Sequence, residues 1–172
     1  MESLILEYIR TKGLEPFPVD QRGFYHNMVS LIISARIRFS VARCIRSKLY
    51  TILGCDSLDN ITTLSDAQLI ESGLSPAKVE TIKSFHKLYK NIGAKGDFTI
   101  VRGIGPWTIN CAKIMAGDYS CGFLDTDSSV NVLVRKIVSS VDNKPDISRL
   151  FKDDRELGGR VFSALWNSIR EK

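Results

Sequence analysis

Four features of this sequence could do chemistry: a carboxylate at a helix mouth, a glycine hairpin, a tryptophan behind it, and a run of arginines. Asp127 closes the stretch DYSCGFLDTD and precedes the apolar-periodic SSVNVLVRKI. Asp at such a place is an ordinary N-cap. A helix N-terminus also favours an anion, so the same side chain could serve as a fixed negative charge beside a developing cation. Asp125 suits a loop or capping role. Gly103-Ile104-Gly105 stands just before a helix start, with Pro106 in the first turn, where its missing N–H costs nothing. The free N–H groups of such a turn can hold a phosphate. The same residues could equally make a plain helix–helix turn, with Ile104 tucked inward. Trp107 could stack on a flat ligand or fill a core. Between Ser34 and Lys48 stand Arg36, Arg38, Arg43, Arg46 and Lys48, with no acid. Interleaved with apolar residues, they predict either a solvated helix face or one face buried and another meeting phosphate.

The elements that must position these groups read as helices almost throughout. Residues 2–10 form a first amphipathic stretch, and GLEPFPVDQRG is a loop. Two helical runs follow from Phe24 to about Leu53. Ser65 caps DAQLIES, which Gly73 ends. Ser75, with Pro76 at the first helical position, opens PAKVETIKSFHKLYKNI, and Gly93 and Gly96 mark its stop. After the hairpin, a helix carrying Ile109, Ala112 and Met115 runs to Gly117. Ser128 to Val141 is helical by pattern, Lys144-Pro145-Asp146 breaks it, and GRVFSALWNSIR closes the chain. No stretch alternates as a strand does.

The 172 residues suffice for a packed core without disulfides, in one unit or two small lobes. A net charge of +5 is compatible with a polyanionic partner and does not demand one. No apolar run is long enough to cross a membrane, and no signal-peptide pattern follows Met1. Cys44, Cys55, Cys111 and Cys121 have no CxxC spacing, so neither a zinc site nor a redox pair is expected. Reduced thiols in an intracellular protein are the expectation.

Taken together, RGIGPWT, a ten-residue helix, a short loop ending in Asp and another apolar helix form one ordered constellation. It resembles the helix-hairpin-helix (HhH-GPD) DNA glycosylase superfamily, and within it the 3-methyladenine DNA glycosylase II branch. In that branch the hairpin is followed by a Trp, and the catalytic Asp lies twenty residues later, the spacing of Trp107 and Asp127 here. SLIISARIRFSVARCI resembles the family's buried helix and wedge loop, and SDAQLIESGLSPAKVETIKSF its glycine-Leu-x-x-x-Lys helix pair. The resemblance covers roughly residues 24 to 140.

The resemblance implies an all-α, two-lobed helix-hairpin-helix fold. One lobe is a helical barrel over 23–122 containing the hairpin. The other combines 1–22 with 123–172. It implies base excision repair by base flipping: Asp127 stabilises the oxocarbenium-like charge as the N-glycosidic bond breaks and orients water. The strand-cutting branch has a Schiff-base Lys where this chain has Trp107, so a monofunctional enzyme is expected. Trp107, Cys111 and Ser128 fall at base-pocket positions. Gly103, Ile104, Gly105, Thr108, Arg36 and Arg38 fall at DNA-contacting ones, with Arg36 at the wedge. Backbone carbonyls of Thr99, Val101 and Ile104 fall where the family holds a structural Na+ or K+. No cofactor is required on this reading.

The chain also departs from the pattern. Cys111 and Ser128 stand where the alkylpurine enzymes have aromatics. No four-cysteine iron–sulfur loop follows Val130, and nothing matches the N-terminal sheet domain of the larger enzymes. The expected partner is lesion-bearing double-stranded DNA, met by a monomer in the cytoplasm, nucleoid or nucleus and not at a membrane. Two other readings stay open: a non-catalytic helix-hairpin-helix DNA-binding module, and an all-helical protein-interaction domain.

Overall fold

The computed structural model describes residues 1–142 and 145–170. Among them are eight α-helices and no strand. The chain divides into two compact units, 20–112 and 1–19 with 113–172. The sequence reading placed this division at 122–123; it falls at 112–113, inside a helix rather than at the Gly122 turn.

The first unit is built around α2 (Gly23–Ser34), which is buried on nearly every side through Met28, Val29, Leu31, Ile32 and Ile33. A helix apolar all round belongs in a core. It packs against α3 (Phe39–Leu53) and α5 (Pro76–Ile92). Only Ala42, Ile45 and Leu49 of α3 are buried, so most of its basic residues face outward. Short α4 (Asp66–Glu71) lies on α5. Its start is fixed by a capping box in which Ser65 and Gln68 satisfy each other's backbone N–H groups. Ser75 caps α5 through the Lys78 N–H, as the sequence predicts. The buried His26 accepts the Leu58 N–H on its Nδ1 at 3.1 Å, joining α2 to the connector. Helix α6 (Pro106–Met115) begins in this unit and crosses the division.

The second unit packs α1 (Glu2–Lys12), α7 (Ser128–Val138) and α8 (Arg155–Arg170) on one another. Ile5, Val130, Val134, Val138, Phe162 and Leu165 form its core. Two helix limits differ from the sequence reading. Helix α7 stops at Val138 rather than Val141, before the expected break, of which Lys144 lies outside the described residues. Helix α8 starts at Arg155 rather than Gly159, because Asp154 supplies a cap, its Oδ1 accepting the Leu157 N–H at 2.9 Å. Two glycines then fall inside the helix, and a Cβ on Gly159 would sit 2.4 Å from the Tyr119 carbonyl oxygen. This bare surface lets α8 seat against the backbone that leads to Asp127.

Candidate functional site

Asp127 is the N-cap of α7 and is only 8% exposed. Its Oδ1 accepts the Val130 N–H at 2.9 Å, and its carbonyl accepts the Asn131 N–H. The preceding loop is tied down from two sides. Arg155 donates from Nε to the Ser120 carbonyl and from Nη2 to the Cys121 carbonyl, both at 3.0 Å. The Asn131 amide donates to the Asp125 carbonyl, drawing the loop over the start of α7. The carboxylate is therefore held on a rigid mount, whatever its task. Asp125 is exposed and contributes its carbonyl to that mount. Ser128, the first residue of α7, is exposed.

The hairpin assigns its two glycines different work. Gly103 has φ 92, and a Cβ there would meet Thr81 Oγ1 at 3.1 Å. That hydroxyl donates to the Arg102 carbonyl at 3.0 Å and latches the loop to α5. Gly105 has neither constraint: its φ is not positive and a Cβ would meet nothing within 4 Å. Ile104 is buried. Trp107 and Thr108, in the first turn of α6, are half-buried, and Cys111 lies one turn beyond Trp107 on the same face, fully buried.

Arg36 carries the most unusual backbone of the DNA-contact candidates. Ala35 has φ −56 and ψ 126, Arg36 has φ 58, and the Ile37 N–H reaches the Ser34 carbonyl at 3.3 Å. This is a type II turn, with arginine at the position that favours glycine. Arg36 and Arg38 are exposed, and Arg38 opens α3. The turn and the hairpin flank one groove of about 660 Å³, lined by Arg36, Ser75, Lys78, Thr81, Arg102 and Gly103 among others.

The segment before the hairpin is ordered by Asp97, whose Oδ1 accepts from the Thr99 N–H and hydroxyl. The Val101 carbonyl accepts the Ile104 N–H at 3.0 Å and keeps a second lone pair. Carbonyls of Thr99, Val101 and Ile104 fit a monovalent cation by donor type. Among the described residues no three His, Cys, Asp or Glu side chains are grouped to hold a metal ion.

Sequence reasoning passed over Lys78 as a site residue and gave Arg46 no individual role. Lys78 Nζ donates to the Ile33 carbonyl at 2.6 Å, and Arg46 Nη1 to Ser34 Oγ at 2.8 Å. Burial lowers the pKa of both. Lys78 is the lysine of the glycine-Leu-x-x-x-Lys stretch, and a lysine in the first turn of a helix opposes the helix dipole; the motif and that mismatch were the available signals.

The backbone decides what these parts can be compared with. A crystal structure of a DNA-3-methyladenine glycosidase from Bacillus halodurans superposes with a TM-score of 0.71, over 97% of this chain and 84% of that one, at 18% identity. The two proteins share a fold. No protein-family model and no curated protein sequence matches the chain. The all-α glycosylase architecture expected from the sequence is thus present, at an identity that carries the fold and leaves chemistry to the site. No described helix is long and apolar enough to cross a membrane.

Proposed function

We propose that this protein is a monofunctional DNA glycosylase of base excision repair, hydrolysing the N-glycosidic bond of a damaged or mismatched base flipped from duplex DNA. One observation carries the reading. A fold shared with a DNA-3-methyladenine glycosidase over nearly the whole chain coincides with a buried, rigidly mounted Asp127, spaced from Trp107 as the resemblance requires. A carboxylate fixed before reaction stabilises positive charge on the sugar without reorganising, which is where electrostatic catalysis gains most. On the resemblance, Trp107 and Cys111 on one unit and Ser128 on the other fall at positions that would border the base. Cys111 and Ser128 stand there in place of aromatics, so less stacking on the base is expected than in an alkylpurine enzyme.

Gly103, Ile104, Gly105 and Thr108 would meet the phosphate backbone, and Arg36 and Arg38 the duplex. A Na+ or K+ on the carbonyls of Thr99, Val101 and Ile104 would stiffen the hairpin. The protein would act as a monomer wherever the cell keeps its DNA. A competing reading has support from one contact: Asp127 Oδ1 is already engaged in capping α7, as it would be in a non-catalytic DNA-binding module. Incubation with duplexes carrying uracil, hypoxanthine, alkylpurines or 8-oxoguanine separates the two. Release of a free base from one of them supports the enzyme. Binding to all without release, at stoichiometric protein, supports the module.

A further inference from the structure

Lys78 occupies the wrong end of its own helix. It stands in the first turn of α5, which holds no acidic residue and where the helix dipole disfavours a cation. It joins none of the described ion pairs. Its ammonium instead crosses to α2 and donates to the Ile33 carbonyl at 2.6 Å. From the other side, α3 sends Arg46, whose Nη1 donates to Ser34 Oγ at 2.8 Å, while that hydroxyl donates back to the Ser30 carbonyl. Two cations from two helices thus meet the last two residues of α2, whose carbonyl end carries negative partial charge. The next residues are the type II turn, with Arg36 in the left-handed region. A non-glycine residue keeps that conformation only where its surroundings over-determine it.

We propose that Lys78 and Arg46 are positioning residues for Arg36, clamping the end of α2 so that the strained turn keeps the arginine projected from the surface. The hold on the turn follows from the contacts alone; its consequence for DNA rests on the glycosylase reading. Lys78 and Arg36 also line one groove, so the rival role for Lys78 is a direct phosphate contact.

Limited trypsinolysis of the free protein tests the clamp, because cleavage after the exposed Arg38 requires the turn to open. Lys78→Met should speed that cut about tenfold, while cutting after Lys95 in a distant loop stays constant. Arg36→Gly, which relieves the strain, should slow the cut after Arg38, and the double variant should return near wild type. Should Lys78→Met fold poorly, Arg46→Met tests the same clamp from the other helix. An unchanged rate after Arg38, or equal acceleration at every site, overturns the proposal.

On lesion duplexes, Lys78→Met should lower base release about tenfold in the wild-type background and not at all beside Arg36→Ala. An equal loss in both backgrounds means that Lys78 meets DNA itself, and overturns the positioning role. A wild-type protein that releases no base from any duplex sinks the glycosylase reading, and proteolysis still decides the clamp.

Discussion

Asp127 and the two hairpin glycines are the places where one atom or one charge separates a structural role from a functional one. Asp127→Asn keeps a capping oxygen for the Val130 N–H and deletes the negative charge. Unfolding stability should change by less than about 1 kcal/mol, since Asn and Asp cap about equally well. Base release should fall by roughly 10²–10³, the usual loss for a preorganised electrostatic group. Single-turnover excision beside a denaturant melt measures both, and a folded variant with undiminished excision would end the case for Asp127.

Gly105 makes the complementary test. Its Cβ position is open inside the protein, so Gly105→Ala should leave the melting temperature unchanged. Duplex affinity should still fall, because a phosphate approaching the hairpin N–H groups would meet the added methyl. Gly103→Ala offers no such separation: a positive φ and the Thr81 contact make it destabilising in its own right. At this scale the sequence was legible wherever the relevant physics is local. An Asp at a helix start and a GxG before Pro106 announce themselves within a few residues. What separates Gly103 from Gly105 lies on another helix, at Thr81, and no spacing along the chain reveals it.

The helices and turns convert these local choices into geometry, and their strain is measurable. Arg36→Gly places the favoured residue in the type II turn and removes the cost of a left-handed arginine, which is of order 1 kcal/mol. The gain is partly offset by a freer unfolded chain. The variant should be as stable as wild type or more stable by up to about 1 kcal/mol, yet process lesion DNA less well. A chemical denaturation curve shifted clearly to lower denaturant would show that the turn is not strained.

Helix α8 gives the opposite case. Gly159→Ala drives a Cβ against the Tyr119 carbonyl and should cost about 1–3 kcal/mol as overpacking, loosening the loop that mounts Asp127. A Cβ on Gly158 would likewise crowd Phe151 and the Phe123 backbone, so close packing accounts for both glycines inside a helix that the sequence reading began only at Gly159.

His26 ties an element to pH. Burial, helped by Arg22 and opposed by Asp20 and Asp59, lowers its pKa, and its Nδ1 accepts the Leu58 N–H. Protons then bind the unfolded chain more readily than the folded one. Stability should be fully present above the unfolded histidine pKa, about 6.5, and should fall as pH drops through and below it. Melts at pH 7.5 and 5.5 should show the drop in wild type and a shallower one in His26→Gln.

For the whole molecule, helical periodicity and caps made the all-α class legible. Such runs can pack in many topologies, and the two-lobed arrangement was expected only from the resemblance carried by the hairpin, Trp107 and Asp127; the architecture matches a solved glycosidase at 18% identity. The clamp on α2 was hidden because it joins Lys78 and Arg46 to residues that only folding brings near.

The molecule's net charge of +5 is too small to define a partner by itself; its placement matters more. Arg36, Arg38 and Arg102 are exposed on one unit, with Arg36 and Arg102 on the groove beside the hairpin. If these side chains replace counterions on a duplex, the logarithm of the affinity must fall linearly with the logarithm of salt, by about 0.9 per phosphate neutralised. Three or four contacts would give a slope of about −2.7 to −3.6, measurable by fluorescence anisotropy on an undamaged duplex. Arg102→Ala should weaken binding to all sequences alike and reduce the slope by about one. Asp127→Asn should leave the slope where it is, since removing an anion adds no phosphate contact. A flat salt dependence in the wild type would mean that the basic groove does not meet nucleic acid. The shared fold would then have been turned to another purpose.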